Sequence, residues 1–229
     1  MPPSIKEGYA LKVRIKFTKE APVKYLGHLD ILRFFQKCFV RARVKMLYSE
    51  GFNPHQKLSF ALPLGVGITS RAEFLDADIE DGQNLKEVKE RLNSVSGDGF
   101  RILDIREVKE GAESLMSAVA FASYEVSSLK GGFFIPEGFM EQEKIPVVKK
   151  TKKGSREVDI KPLIFKLEGN DPISMFLSAG SLNNLKPELL LEAVCSFSGT
   201  EYARENFELV RTGLYGPDKA DLIEHETVL

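Results

Sequence analysis

Apolar and polar side chains alternate strictly along residues 11–18, Leu11-Lys12-Val13-Arg14-Ile15-Lys16-Phe17-Thr18, and three of the four polar ones are basic. A period of two places the apolar side chains on one face of a strand and the basic ones on the opposite face. We therefore expect a half-buried strand with a basic outer face. The fold class follows from what the chain does after this strand.

The next segment changes to a helical period. Between residues 27 and 43, apolar side chains recur at three- and four-residue spacing. They are Ile31, Leu32, Phe35, Cys38, Phe39 and Ala42. Arg33, Lys37 and Arg41 are four residues apart and fall together on another side of the same helix. The pattern predicts an amphipathic helix with a basic stripe.

The remaining elements of the first half complete a recognisable order. Further strands are predicted over residues 44–48, 57–61, 72–79 and 100–108, and a second helix over residues 85–95. This is the order of a ferredoxin-like, split βαβ domain. The second half is interpreted similarly, with strands at 119–126, 157–166, 173–177 and 207–211, a short helix after Pro136 and a helix whose first position is Pro187.

The sequence thus predicts an α+β protein of two tandem ferredoxin-like (split βαβ) domains. The N-terminal domain would cover residues 1–112. The C-terminal α+β domain, with an acidic tail, would cover residues 113–229. No internal sequence repeat accompanies this order of elements.

The charge is neutral in total but segregated along the chain. The 229 residues carry 32 Lys and Arg against 33 Asp and Glu, which gives a net charge of −1 and excludes a general attraction to nucleic acid. Residues 12–57, however, have a local balance of +8, residues 73–113 of −6 and residues 144–161 of +5, and the tail after residue 216 is acidic again. A basic face remains possible if the basic blocks fold to one side.

The sequence lacks the motifs that are typical of several classes of protein. Two separated cysteines, Cys38 and Cys195, and three isolated histidines have no zinc-ligand spacing. Phosphate-binding, dinucleotide-binding and Gly-x-Ser-x-Gly motifs are also absent from the sequence. Neither a signal-peptide pattern nor an apolar run of membrane-spanning length is present. We expect no metal, no cofactor and no membrane partner, and a cytoplasmic protein.

Three segments carry side chains that could bind or react. Residues 25–30, Tyr-Leu-Gly-His-Leu-Asp, offer Tyr25 and His28 as catalytic candidates, although His28 could equally cap or pack at a helix start. The loop of residues 48–60 offers Asn53, His55 and Lys57 for phosphates and aromatic rings for bases. Its Phe52 and Phe60 could instead anchor the loop in the core. Residues 149–156 form a cationic turn that would contact phosphates through Lys150, Lys152, Lys153 and Arg156, or be an ordinary solvated hairpin.

These stretches resemble a known family. Residues 25–30, 48–54, 57–60 and 62–67, together with residues 152–163 and 211–215, are similar to the bacterial radical SAM-linked protein family, a domain of unknown function encoded beside or fused to radical S-adenosylmethionine proteins. The resemblance implies a radical SAM protein as partner and a companion role in presenting a substrate such as RNA. The chain has no CxxxCxxC cluster motif, so it would not be the radical enzyme itself.

Three functions stay open at this point. The first is an RNA-binding or substrate-presenting accessory protein that uses Arg33, Lys37, Arg41 and the basic loops. The second is a metal-independent endoribonuclease, with His28 and Tyr25 as base and acid and Lys57 as the phosphate contact. The third is a protein-interaction scaffold, in which the basic helix meets an acidic partner. Whether the protein is an enzyme is undecided, with the accessory role preferred.

Overall fold

The elements of this computed structural model are described for residues 10–151 and 154–228, with the side chains of residues 150 and 151 excepted. The strands are β1 (Ala10–Lys19), β2 (Leu58–Phe60), β3 (Thr69–Glu80), β4 (Phe100–Glu107), β5 (Phe121–Ser128), β6 (Pro146–Thr151), β7 (Gly154–Asp159), β8 (Ile164–Glu168), β9 (Ile173–Ser178) and β10 (Phe207–Tyr215). The helices are α1 (His28–Arg41), α2 (Leu85–Ser96), α3 (Leu115–Ala118) and α4 (Pro187–Phe197). The fold is therefore α+β, as predicted.

The sheet of the first half is built around β1, whose apolar face is buried as the alternation predicted. Strands β4, β1, β3 and β2 lie side by side in that order, and each is antiparallel to its neighbours. Val13 and Ile15 on the apolar face of β1 pair with Ala77 and Leu75 of β3. Helices α1 and α2 cover this face, and the predicted apolar side of α1 contributes Phe35 and other buried side chains to the core.

The predicted strand over residues 44–48 is wrong in extent. Met46 and Tyr48 form only isolated bridges, to Ile79 and Gln56, and the strand that pairs with β3 is the three-residue β2. The reason is that two segments of the chain pair with the same edge of β3. Met46 occupies β3 at Ile79 and Leu58 occupies it at Ala77, so neither segment can pair over its whole length.

The two halves share one sheet. Strands β10, β5, β9 and β8 are neighbours in that order, and each contact between them is antiparallel. β10 also pairs in parallel with β3, at Val210 with Thr69 and at Arg211 with Ser70. The sequence predicted β10 as a strand of the second half. In the structure, β10 also joins the two halves. The boundary at residues 112 and 113 stays a prediction.

Other elements of the second half differ from expectation in detail. The short helix predicted after Pro136 is wrong, since residues 137–141 form turns. The strand predicted over 157–166 is interrupted by a 3-10 turn (Lys161–Leu163) that contains Pro162, and it becomes parts of β7 and β8. In the part of the chain that the structure describes, β6 and β7 form a separate two-stranded sheet. Helix α4 begins at Pro187 as predicted.

The outer face of β1 is not the exposed basic surface that its sequence suggested. Arg14 is buried, and Lys16 lies 2.5 Å from Asp221 as an ion pair, whereas Lys12 at the start of the strand remains exposed. The chain after residue 216 folds over this face, and Leu222 and Ile223 of that segment are buried. The acidic tail thus covers basic side chains that a strand pattern alone assigns to solvent.

Two hydrophobic cores result. One lies between α1, α2 and the β1, β3 and β4 strands, and the other packs α4 and the β6–β7 hairpin against β5, β9 and β10. Among the described residues, none of the helices combines the length and the apolar character that crossing a membrane requires.

Candidate nucleic-acid interface

The basic stripe of α1 lies on the solvent side of the helix. Ile31, Phe35 and Cys38 point into the core, and the four-residue spacing carries Arg33, Lys37 and Arg41 away from it. All three basic side chains are exposed. Arg33 Nη1 lies 3.6 Å from an Asp30 carboxylate oxygen, an exposed pair that leaves the guanidinium accessible to a ligand.

The loop after α1 is closed at its base. Tyr48 and Gln56 form a bridge, the Ser49 N–H donates to His55 O at 2.8 Å, and the Lys57 N–H donates to Leu47 O at 3.1 Å. The Gln56 side chain donates to Gln36 O at 3.3 Å and so ties the loop to α1. The loop is therefore held beside the basic stripe at its base, while residues 50–54 project from it.

Ser49 orients the imidazole of His55. The His55 N–H donates to Ser49 Oγ at 3.1 Å, and Ser49 Oγ lies 2.8 Å from His55 Nδ1. When the hydroxyl donates its proton to Nδ1, the neutral imidazole carries its own proton on Nε2. His55 then presents an N–H donor on its outer side, which suits a phosphate or base oxygen.

The sequence left open whether Phe52 and Phe60 anchor the loop or bind a ligand, and the two side chains lie in different environments. Phe60 packs against Phe35, with ring centroids 5.9 Å apart, and against His28 at 5.3 Å. Phe60 is therefore a packing residue. Phe52 is 112% exposed at the tip of the loop, and Tyr48 at its base is also exposed. An exposed phenyl ring on a short loop is unusual for a structural residue, because it gains no burial from folding.

The stripe and the loop flank a shallow, open groove of about 520 Å³. Its lining is formed by Arg33, Gln36, Lys37, Val40, Arg41, Tyr48, Pro54, His55 and Gln56. Four of the predicted binding residues, Arg33, Lys37, Arg41 and His55, thus converge on one concave surface, which we call the basic groove. The sequence predicted the stripe and the loop separately but could not show that they face each other.

The other predicted site residues lie elsewhere. Asn53 is exposed at the loop tip, and Lys57 lines a separate depression with Lys12, Asp76 and Asp78. Arg156 is exposed on β7. Lys152, Lys153 and the side chain of Lys150 lie outside the part of the chain that the structure describes.

The catalytic candidates do not share a cavity. His28 is the first residue of α1 and lines a small cavity with Lys19 and Glu73, whereas Tyr25 lines a different one with Arg204. Lys57, proposed as their phosphate contact, borders the third depression described above. Within the described residues, the three side chains of the nuclease hypothesis therefore face different openings.

The sequence did not predict the cluster of buried charged residues at the junction of the two halves. Arg211 of β10 contacts both carboxylate oxygens of Glu73 on β3, and its Nη2 also donates to Leu62 O at 2.8 Å. Lys19 of β1 is buried nearby and donates to Leu26 O at 3.1 Å. Burial lowers the pKa of the Lys19 ammonium, and Glu73 partly opposes this shift. The only signal in the sequence was that Arg211 begins one of the stretches that resemble the family.

The same cluster has electrostatic partners beyond Glu73. Burial disfavours the charge of Arg211, but the adjacent Glu73 carboxylate outweighs this and raises the pKa of the guanidinium above its ordinary value. Burial also raises the pKa of the Tyr124 hydroxyl. The cluster holds β3 and β10 together at the seam of the sheet, and Arg211 and Tyr124 also line a cavity of about 240 Å³ beside Glu188.

Comparisons with known proteins place the chain in a family but assign no activity. No curated protein matches it. Among solved structures, 90% of the chain matches half the length of a chain in a Cbf5-Nop10-Gar1 complex, at 13% identity and a TM-score of 0.43. A protein of unknown function from Galdieria sulphuraria matches 91% of the chain over 99% of its own length, at 12% identity and a TM-score of 0.29. Residues 12–187 match the family described as "Uncharacterized protein conserved in bacteria (DUF2344)", and the chain therefore belongs to that family.

Proposed function

We propose that this protein binds RNA through the basic groove. The observation that carries the proposal is the convergence of Arg33, Lys37, Arg41 and His55 on one concave surface, beside a loop whose tip exposes Phe52. Cationic side chains of this kind contact phosphates without reading sequence. An exposed aromatic ring supplies a stacking surface for an unpaired base. The ligand that suits both features is a single-stranded segment or loop.

The size of the groove limits how much of the RNA is held. Three permanent cations and one imidazole would contact about three or four phosphates. The basic side chains of β1 add none in the groove, because Arg14 is buried, Lys16 pairs with Asp221 and Lys12 lines a different depression. Neutralising three phosphates of a single strand gives a salt dependence, as log affinity against log salt, of about −2. The proposal is therefore of a modest, local contact, in keeping with a chain whose net charge is −1.

The biological role that we propose is to present RNA to a radical SAM enzyme. This part rests on the resemblance to the radical SAM-linked family and on no contact of the structure. Co-purification with and without nuclease treatment tests it against a protein-interaction scaffold. A partner that is retained through RNA is lost on nuclease treatment, whereas a partner bound by the basic helix alone is retained.

We also propose that the two halves are tandem ferredoxin-like units. Strand orders β4-β1-β3-β2 and β10-β5-β9-β8 correspond element by element, and this correspondence supports the proposal. In the second half the β6–β7 hairpin would take the place of the first helix. The basic groove would then belong to the first unit alone, since only that unit has a helix in the position of α1.

The first prediction concerns the cationic stripe. We expect Arg33→Gln/Lys37→Gln/Arg41→Gln to weaken binding of tRNA or a single-stranded oligonucleotide about tenfold or more at 0.1 M salt, and to reduce the salt slope by about 2, because three phosphate contacts are lost. Fluorescence anisotropy across a salt series measures both quantities.

A matched control removes the same charge elsewhere. Lys86, Arg101 and Lys166 are exposed outside the groove, so Lys86→Gln/Arg101→Gln/Lys166→Gln changes the net charge equally. We expect this variant to retain its affinity within about twofold. Equal losses in the two triple variants, or wild-type affinity no better than that of an acidic control protein, would exclude the groove as the binding site.

The second prediction concerns the ring of Phe52. Because stacking on an aromatic side chain contributes about 1–3 kcal/mol per base, Phe52→Ala is expected to weaken binding of single-stranded RNA roughly 5- to 100-fold without changing the melting temperature. Phe52→Trp should restore binding. Phe134→Ala, at another exposed phenylalanine, serves as the control. A Phe52→Ala variant that binds like wild type would show that the loop tip takes no part.

A further inference from the structure

Three potential metal ligands meet where the C-terminal segment reaches the connection between β4 and α3. His225 Nε2 lies 3.8 Å from Glu113 Oε1 and 3.9 Å from Glu226 Oε2. One ligand atom from each of the three residues lies within 4.8 Å of the others. Glu113 is more than a hundred positions from the adjacent residues His225 and Glu226, which is why the spacing of the histidines gave no sign of the cluster.

The imidazole of His225 is held on one side and unsatisfied on the other. His225 Nδ1 lies 3.4 Å from Asp218 Oδ2, and the ring packs against Gly216, where an added Cβ would lie 2.9 Å from Nδ1. His225 Nε2 is buried and has no hydrogen-bond partner among the described residues. In metal sites, a carboxylate commonly accepts a hydrogen bond from one nitrogen of a histidine, so that the other nitrogen is oriented toward the ion.

A hydrogen bond does not account for this geometry in either protonation state. If Nε2 carries a proton, a charged imidazolium attracts both carboxylates, but their oxygens at 3.8 and 3.9 Å are too distant to accept a hydrogen bond from it. If Nε2 is unprotonated, its lone pair faces two anionic oxygens and is repelled by them. A cation between the three atoms satisfies all of them at once, and the nearby carboxylate of Asp218 adds to the negative field.

The backbone already holds these ligands in place. Glu226 O accepts a hydrogen bond from the Lys109 N–H at 2.8 Å, and His225 O accepts one from Arg14 Nη1 at 2.8 Å. The Glu113 N–H donates to Glu226 Oε2 at 3.2 Å. Glu113 and Glu226 remain partly exposed, so an ion can reach the site and keep water in its remaining positions.

We propose that Glu113, His225 and Glu226 bind a divalent transition-metal ion, with Asp218 orienting the imidazole. An ion at the centre of three atoms at this spacing lies about 2.2–2.8 Å from each, and small rotations of the two glutamates reach the roughly 2.0–2.2 Å of zinc–oxygen and zinc–nitrogen bonds. One imidazole and two carboxylates suit Zn²⁺, with Mn²⁺ and Co²⁺ as weaker alternatives. The ion would fasten the C-terminal segment to the connection between the two halves.

The test uses the full chain after treatment with EDTA and dialysis. Calorimetric titration with ZnCl₂ is expected to show one site per chain, and ZnCl₂ at about a hundred times the dissociation constant should raise the melting temperature by roughly 5–10 °C. Substitution by CoCl₂ gives a visible absorption band that reports ligation independently of stability. MgCl₂ at the same concentration should have little effect.

Two variants separate this site from adventitious binding at other histidines. Glu113→Gln and Asp218→Asn alter half-exposed side chains and are expected to fold, and each should lower the Zn²⁺ affinity about 10- to 100-fold. Glu224→Gln, an exposed neighbour outside the cluster, should leave it unchanged. Absence of stoichiometric Zn²⁺ or Co²⁺ binding by the wild type, or equal affinity in Glu113→Gln and Glu224→Gln, would overturn the proposal.

Discussion

Replacement of Arg211 by methionine is expected to lower the free energy of unfolding by about 3–5 kcal/mol, because it leaves the Glu73 carboxylate buried without its partner. Arg211 is 1% exposed, and its Nε donates to Glu73 Oε1 at 2.7 Å. The same guanidinium donates to Leu62 O, which would also lose its hydrogen bond. Urea unfolding followed by circular dichroism at pH 7 measures the change.

An exposed arginine provides the matched control. Arg71 Nη1 pairs with Glu125 Oε2 at 2.8 Å, but both side chains are accessible to water. Arg71→Met should therefore cost no more than about 1 kcal/mol. We further expect Arg211→Met/Glu73→Met to be more stable than Arg211→Met alone, since it removes the unpaired carboxylate as well. Similar losses for Arg211→Met and Arg71→Met would contradict the assigned role of the buried pair.

Replacement of Arg14 by leucine is expected to have an effect of similar size, about 3–5 kcal/mol, and also to loosen the C-terminal segment. Arg14 Nε and Nη2 donate to the two oxygens of Asp76 at 2.9 and 3.1 Å. Its Nη1 donates to Leu222 O at 3.0 Å and to His225 O at 2.8 Å. Burial raises the pKa of Asp76, and the hydrogen bonds and charge of Arg14 oppose this shift, so loss of Arg14 raises the pKa of the buried carboxyl group further.

Two measurements separate the local effect from the global one. Urea unfolding reports the loss of stability, and hydrogen exchange reports whether residues 216–228 exchange faster than β3 and β9. Arg101→Leu, at an exposed position on the neighbouring strand β4, should change stability by less than about 0.5 kcal/mol. If Arg14→Leu destabilises the chain but exchange in residues 216–228 stays as slow as in wild type, Arg14 does not anchor the segment.

Local periodicity was a reliable guide wherever one element meets one core. The alternation in β1 placed Val13, Ile15 and Phe17 on the buried face, and the helical spacing placed Phe35 and Phe39 beneath α1. Pro187 marked the first position of α4. These assignments depend on neighbours within a few residues, and the sequence contains that information directly.

The candidate site was predictable only in pieces. The sequence identified Arg33, Lys37 and Arg41 from their spacing and His55 from the loop composition, but the groove exists because Gln56 and the bridge at Tyr48 bring the loop back to α1. The buried Arg211–Glu73 pair joins residues 138 positions apart. No local pattern distinguishes such a pair from two ordinary surface charges.

The sequence by itself determined the α+β class, the two helices over the first core, the basic stripe and the segregation of charge into opposed blocks. Only the tertiary structure decided which of those charged side chains are exposed to solvent and can contact a ligand. The acidic tail covers the outer face of β1 and buries Arg14 against Asp76, whereas the stripe of α1 stays open beside Phe52. The physical reason is that burial of a charge depends on which distant segment packs over it. A strand can also pair with a segment far away in the sequence, so local patterns do not identify its partner.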